Sequence, residues 1–375
     1  MSDTAKNSFP SKLAFSSSIK NSAWHPDKKP EGYEWWYFDA LSDDGSEAIV
    51  VMFLDNFILS PHYNLNSSAR LPEHEALHIT GNGISSANRF PAIIFTYYRD
   101  GKPVYRAINE FASNEFGVAD KSLPGCQIGR NSFKYESAPY GNGYLLSIDT
   151  EYRKNKRIQA NFEWLSIESD FRTDEIDHYQ GAYSWNLVSP RSDVTGKINI
   201  LNKGGDSIDK INFRGTGYHD HNCDNRWIPD SIQEWQRGRA HFPDSTVIFC
   251  RHKDTSEIEP TTKLILVRQD TFEETDATCE VQQTKRDFYG LKYPSRMQFT
   301  VGKKARLRIK QKEVIDSNFF HLRFLSEITL SLNDGKPRKG LGITEHLAPK
   351  RLKNRWLDWF VNMRIGRNGK GSFLP

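Results

Sequence analysis

Tight turns punctuate this chain at short, regular intervals, and that limits it to an antiparallel β architecture. Three hairpins are plain. Gly32 to Ala40 and Ala48 to Leu54 flank Ser42-Asp43-Asp44-Gly45. Ile93 to Tyr98 and Val104 to Ile108 flank Arg99-Asp100-Gly101-Lys102. Tyr144 to Glu151 and Ile158 to Ile167 flank Arg153-Lys154-Asn155-Lys156. Turn residues between runs of β-branched and aromatic residues are a strong hairpin signal. Further extended runs cover Ala182–Val188, Gly196–Leu201, Lys210–Thr216, Gln233–Phe242, Thr246–Arg251, Lys263–Arg268, Arg296–Val301, Ala305–Lys310 and His321–Leu332. Many short strands joined by tight turns mean a sandwich or barrel. Helical periodicity appears only at the end.

The pattern repeats. Glu34-Trp35 opens the first hairpin and Glu234-Trp235 opens a later one; with the same shift, Ala40 falls on Ala240 and Asp44 on Asp244. A duplicated antiparallel unit accounts for both the length of 375 residues and the uniform strand content. Ser189-Pro190-Arg191 and Lys203-Gly204-Gly205 break the pattern between the units. The chain therefore reads as a flexible polar arm (1–23), two β-barrel domains (24–200 and 201–347) and a basic C-terminal segment (348–375).

The richest chemistry lies in Phe213-Arg-Gly-Thr-Gly-Tyr-His-Asp-His-Asn-Cys223. Gly215 and Gly217 point to a tight turn or a close backbone approach. In an extended strand, His219 and His221 share one face, and Tyr218, Asp220 and Asn222 share the other. The plain alternative is a polar strand end that satisfies its own hydrogen bonds.

Several classes drop out. Two histidines one residue apart invite a metal, with His178, His241 or His252 as a third ligand, but no spacing singles one out, and no bound metal is expected. No GxSxG is present, so nucleophilic hydrolysis is not indicated, and no P-loop or GxGxxG after a strand is present, so neither are nucleotide and dinucleotide cofactors. Residues 348–375 carry a net charge of +6 and leave −2 for the rest, which does not describe a nucleic-acid footprint. The N-terminus lacks a signal-peptide core, and four cysteines without CxxC spacing fit a cytoplasmic protein with free thiols.

Aromatic residues make up 13% of the chain against only 4 Met, so rings should line any cavity. A carboxyl such as Asp220, Glu34 or Glu234 in such a pocket can hold its proton near neutrality. The rings of Trp35, Trp36, Tyr37, Tyr218 and Trp235 can face a developing carbocation. That combination suits protonation, hydration, isomerisation or cyclisation of an alkene in a hydrophobic small molecule. Each ring also has a plain reading as core.

Glu34-Trp35-Trp36-Tyr37-Phe38, Ser189-Pro190-Arg191 and Gly217-Tyr218-His219-Asp220-His221-Asn222 together resemble the carotenoid 1,2-hydratase (hydroxyneurosporene synthase, CrtC-like) family and its AttH-like relatives. The resemblance runs from about Trp24 to the last strands. It implies two tandem lipocalin-like β-barrels, a lipophilic polyene or terpenoid substrate near their junction, and no redox cofactor. It also implies catalysis by a His of this motif, matched by His221, with a Tyr and an Asp on the next hairpin. Phe249 and Arg251 stand at those places, and Cys223 stands where a Trp is common. Diels–Alderase-type fungal cyclases are similar in architecture, so a pericyclic cyclase is the first alternative. A non-catalytic carrier of a hydrophobic ligand is the second.

The expected polar pair is Asp220 and His221, with His221 the acid and Asp220 bonded to a base such as Arg214 or Arg239. Tyr218 and the two Glu-Trp pairs shape the pocket. At the end, Leu352, Trp356, Trp359, Phe360 and Met363 fall on one face of a helix from Pro349 to Ile365. It packs on the barrel with its basic residues in water, or it rests on an anionic membrane.

Overall fold

The computed structural model describes residues 12–68, 89–139, 141–173, 182–269, 271–333, 335–354 and 358–374. The fold is all-β. One sheet holds β1 (Leu13–Ser16), β2 (Tyr33–Ser42), β3 (Glu47–Leu54), β4 (Ala92–Arg99), β5 (Lys102–Glu110), β6 (Phe116–Gly117), β7 (Gly125–Ile128), β8 (Asn131–Ala138), β9 (Gly141–Arg153), β10 (Lys156–Glu168), β11 (Tyr183–Leu201) and β12 (Ser207–Asp224). The other holds β13 (Ile232–Phe242), β14 (Ser245–Asp254), β15 (Thr261–Arg268), β16 (Thr271–Asp276), β17 (Thr278–Arg286), β18 (Lys292–Val301), β19 (Ala305–Ser317), β20 (His321–Leu332) and β21 (Arg338–Leu347). A last short strand, β22 (Gly366–Arg367), returns to the first sheet beside β5.

The three expected hairpins are present as β2–β3, β4–β5 and β9–β10. Their turns use the left-handed backbone that Asp, Asn and Gly tolerate: φ is 50° at Asp100, 71° at Gly101 and 63° at Asn155. The two strands that carry the echo have similar neighbours. β2 opens the first sheet between its hairpin partner β3 and the late strand β12. β13 opens the second between β14 and the late strand β21. Glu34-Trp35 and Glu234-Trp235 thus sit at equivalent places.

Four apolar clusters follow from this winding among the described residues, the smallest being Leu291, Tyr293, Leu322 and Phe324. One fills the curl of the first sheet around Trp36, Phe38 and Trp164. One fills the second around Phe249, Phe299 and Leu307. The largest lies between the sheets and takes Trp35, Tyr37, Trp185, Tyr218 and Trp235.

Four expectations need correction. The change of sheet falls between Asp224 and Ile232, because β12 pairs along its length with β11 and β2 rather than opening the second unit. From Lys12 onward the arm is bound, not loose. β1 runs parallel to β11, Ser17 Oγ donates to the Leu187 carbonyl at 2.7 Å, and Asn186 exchanges two hydrogen bonds with the Ser18 backbone. Its serines pair with backbone, which a polar composition conceals. A helix, α1 (Pro61–Ser68), appears where no helical periodicity was read. The C-terminal helix is broken. A 3₁₀ turn spans Pro349–Lys353, and α3 (Asp358–Met363) follows the short α2 (Ile228–Ser231) in chain order.

That break has a cause. Arg351 donates to the carbonyls of Tyr289, Gly290 and Phe319, which anchors the first turn, and Asn354 leaves the helical region with ψ of 88°. Leu352 packs on the core and Phe360 on Phe319, whereas Trp359 is 62% exposed and Trp356 lies outside the described residues. Of the basic residues, Lys350 and Lys370 are exposed, Lys353 bonds Asp230 at 2.7 Å, and Arg367 bonds Glu110. No helix among the described residues is long and apolar enough to cross a membrane.

The tail closes the first sheet where β5 curls back onto β9. Asn109 on β5 donates to Thr150 Oγ1 and the Glu151 carbonyl of β9, each at 2.8 Å. β22 pairs with β5, Asn368 N donates to the Glu110 carbonyl, and Glu151 N donates to the Gly369 carbonyl. Truncation after Arg364 should therefore lower the melting temperature by roughly 5–10 °C, as loss of a few such bonds implies. An unchanged midpoint with loss of liposome binding would instead make this segment a membrane element.

Candidate functional site

The site is built on the last turn of β12. Gly217 lets that strand press into its neighbours: a Cβ there would stand 2.5 Å from Val194 Cγ2 and 2.8 Å from the Trp164 indole nitrogen. From Tyr218 onward every residue to Asp224 is buried. Alternation then divides the motif as expected. Tyr218, Asp220 and Asn222 line a cavity between the two sheets, and His219 and His221 point away into the curl of the first sheet. Register extends each face to β2. Asp220 lies opposite Tyr37 and Asn222 opposite Trp35 on the cavity side, while His219 lies opposite Phe38 and His221 opposite Trp36 on the far side.

The cavity holds about 1000 Å³, counting the part open to solvent. The walls are mostly aromatic and aliphatic, with Trp35, Trp185, Trp235, Ile94 and Ile343 among them. Asp220 is the carboxyl at the centre of the β12 wall. Tyr218 Oη and Trp185 Nε1 donate to its Oδ2 at 2.8 and 3.0 Å, and Asn222 Nδ2 donates to Oδ1 at 2.7 Å. Burial pushes its pKa up to about 6, opposed by the Arg237 charge and by these three donors.

The second echo strand supplies the facing cations. Counting by two from Trp235 gives Arg237 and Arg239, and from Trp35 gives Tyr37 and Asp39; all line the cavity. Arg239 clasps Asp39 across the sheets, with Nε donating to Oδ1 at 2.7 Å, and Tyr37 Oη donates to the other oxygen at 2.8 Å. Arg237 Nη1 donates to Asn222 Oδ1 at 2.8 Å and to Tyr183 Oη at 3.1 Å. Further along the wall, Arg323 binds Glu345 and Asp316, and Arg106 binds Asp316 at 3.1 Å.

The expected partner of Asp220 is therefore corrected. Arg239 belongs to Asp39, Arg214 is exposed, and Arg237 is the cation whose field reaches Asp220. Asp39, Trp185 and Arg237 were absent from the sequence candidates. The signal for Asp39 and Arg237 was present, since alternation from the two echoed tryptophans reaches both.

Other candidates fall off the cavity. His221 Nε2 lies 2.6 Å from Glu34 Oε1, and its ring stacks on Trp36. His219 Nδ1–H donates to the Tyr37 carbonyl at 2.9 Å, and the ring stacks on Phe38 at 3.9 Å. Burial pulls the His219 imidazole down to about 3 and lowers His221 as well. Trp36 and Phe249 are core of the first and second sheets. Glu234 accepts from Arg251 at 2.6 Å, away from the cavity lining. Alternation from Trp35 and Trp235 puts both echoed glutamates on the far faces.

Glu34 gathers its own cluster. His25 Nδ1 lies 2.7 Å from its Oε1, and Lys28 binds its other oxygen as well as Asp55. Burial would raise this carboxyl, but Lys28, then His25 and His221, hold it well below the usual range. His25, Glu34 and His221 place ligand-type atoms within 4.8 Å of one another. This is the arrangement closest to a metal site among the described residues, and its carboxylate already has a cation in Lys28. The thirds considered from sequence do not join it: His241 and His252 are buried elsewhere, and His178 lies outside the described residues.

The chain is similar to several known proteins. The family model for carotenoid hydratase CrtC matches residues 166–373, more than half of the chain. Hydroxyneurosporene dehydrogenase of Chlorobaculum tepidum is 28% identical over 372 residues, covering 94% of this chain and 92% of that one. Acyclic carotenoid 1,2-hydratase of Thiocapsa roseopersicina is 23% identical over 227 residues, covering 58% and 47%. Among solved structures, an AttH-type protein of Nitrosomonas europaea aligns with a TM-score of 0.58 at 14% identity, covering 88% of this chain and 95% of that one. CghA with Sch210972 aligns with a TM-score of 0.55 at 13% identity, covering 91% and 96%. These two likenesses carry the fold.

The buried imidazole of His219 predicts acid lability. Its folded pKa of about 3 lies below the unfolded value near 6.5, so between these only the unfolded chain takes the proton. Stability is full above about pH 6.5 and falls as pH drops, by about 1.4 kcal/mol per unit for this group. Denaturant midpoints from pH 7 to 5 should fall, and His219→Phe, which keeps the stack on Phe38, should flatten the slope. An unchanged slope would mean that the folded state accepts the proton.

Proposed function

This chain belongs to the carotenoid hydratase CrtC family, and from that premise we propose that it is an enzyme acting on an apolar polyene of the carotenoid or terpenoid class by acid-assisted addition, isomerisation or cyclisation at a double bond, with Asp220 as proton donor. The observation that carries this reading is a carboxyl buried in the wall of an aromatic cavity, where burial raises its pKa to about 6. A carboxyl poised near the working pH is a competent general acid.

In hydration, the Asp220 proton goes to the less substituted alkene carbon. The π pair forms the new C–H bond, and a cation remains on the neighbouring carbon. Oδ1 is the oxygen to carry that proton, because Tyr218 and Trp185 both occupy Oδ2. The faces of Trp35 and Trp235 offer electron density to the cation. The three donors and Arg237 hold the carboxylate left behind. Water then adds to the cation and returns a proton to Asp220. The sum is one water added, with no change of oxidation state. In this reading His221, bonded to Glu34, is a positioning residue that holds β12 against β2.

Dehydrogenation is the second reading, favoured by the name of the Chlorobaculum relative. Product composition separates the two, since hydration gains the elements of water, whereas dehydrogenation loses two hydrogens and requires an added electron acceptor to take them. A carrier would bind a polyene without converting it.

Asp220→Asn should lower kcat by about 10²–10⁴ with binding largely kept. The wild-type rate should be highest below about pH 6 and fall above it, as the acid loses its proton. In heavy water the product should gain one carbon-bound deuterium. His221→Ala should cost mainly stability. Full turnover by folded Asp220→Asn would remove Asp220 from the acid role.

A further inference from the structure

Arg237 and Arg239 stand two apart on β13, line the same cavity and differ in one respect. Arg239 uses the side-on fork of its guanidinium, Nε and Nη2, to hold Asp39. On Arg237 the same two atoms, Nε and Nη2, are buried and have no oxygen or nitrogen partner; the thiol of Cys250, a weak acceptor, is the other group that reaches this guanidinium. Its Nη1 is held by Asn222 and Tyr183, so the side chain is fixed while that fork remains unpaired. The charge lies among three rings, with centroids at 4.9 Å for Tyr183, 4.5 Å for Trp185 and 4.5 Å for Trp235. The residue is 7% exposed. The indole N–H of Trp235, on the same face, is also without a partner.

All of these unpaired groups are donors. Leaving buried donors unmade costs free energy, more so on a charged group, and a hydrocarbon cannot meet them. The spacing of Nε–H and Nη2–H matches the two oxygens of a carboxylate, the geometry in which Arg binds most selectively. We propose that Arg237 binds a carboxylate carried by the ligand, so that the cavity takes a polyene acid with its apolar chain along the tryptophan wall. The inference rests on the preceding reading for the apolar chain and adds the head group. It also links binding to chemistry. A carboxylate on Arg237 cancels the positive field that favours ionised Asp220, so the ligand itself helps the acid keep its proton.

Quenching of the cavity tryptophans by all-trans-retinoic acid and by all-trans-retinol compares two polyenes that differ in the head group. The wild-type protein should bind the acid about ten- to hundredfold more tightly, the effect of charge-assisted hydrogen bonds. Arg237→Gln should abolish the preference, and Arg237→Lys, which keeps the charge without the fork, should retain part of it. Equal wild-type affinity for acid and alcohol would overturn the proposal, and that comparison does not depend on a variant folding. Preference for the acid without turnover of any polyene would leave the carboxylate site standing and remove the proposed reaction. Turnover of a polyene without preference for the acid would remove the site and leave the reaction.

Discussion

The site depends on one strand, β12, being buried on both faces at once. A strand in that position sends successive side chains into different environments, and here each has different chemistry. One face meets the packed curl of the first sheet, where His219 and His221 stack on Phe38 and Trp36. The other meets the space between the sheets, where Tyr218, Asp220 and Asn222 form a bonded row. Neighbours one residue apart therefore cannot share a substrate. A motif that looks like one polar cluster is two, and the cavity-facing one is the carboxylate row.

Polar contacts across the sheets keep that space from collapsing into ordinary core. Asp39 binds Arg239, Tyr98 accepts from Arg323 at 3.3 Å, and Arg106 binds Asp316. Buried pairs of this kind add little net stability beside apolar packing, yet removing one partner strands the other charge. They fix how the two sheets face each other. Each draws one residue from either sheet, so the spacing of the cavity walls follows from their length. Arg237 departs from this pattern, since its fork has no carboxylate opposite.

Much of this was legible from residues alone. The hairpin turns at Asp100-Gly101 and Asn155 declared themselves through backbone conformations few residues adopt. The echo of Glu34-Trp35 in Glu234-Trp235 located two equivalent opening strands. Period-two alternation separated the histidines from Asp220. Other features depend on long-range pairing and were not legible. Nothing local marks Ser207–Asp224 as the closing strand of the first sheet rather than the start of the second. The exposed edge strand Thr278–Arg286 is too polar to read as a strand. The serines of the arm look like linker, because their partners lie some 170 residues away. The sequence does not mark Glu34 as the partner of His25, Lys28 and His221, which surround it on the far face from the cavity.

The wall of this cavity holds the Asp220 carboxyl above the ordinary aspartate range. Carbon-13 NMR of protein labelled at the aspartate carboxyls, with Asp220→Asn to identify the signal, measures that directly. The Asp220 carbon should titrate with a midpoint of about 6 in the free protein. A signal that remains that of an ionised carboxylate down to about pH 4, the ordinary aspartate range, would contradict it.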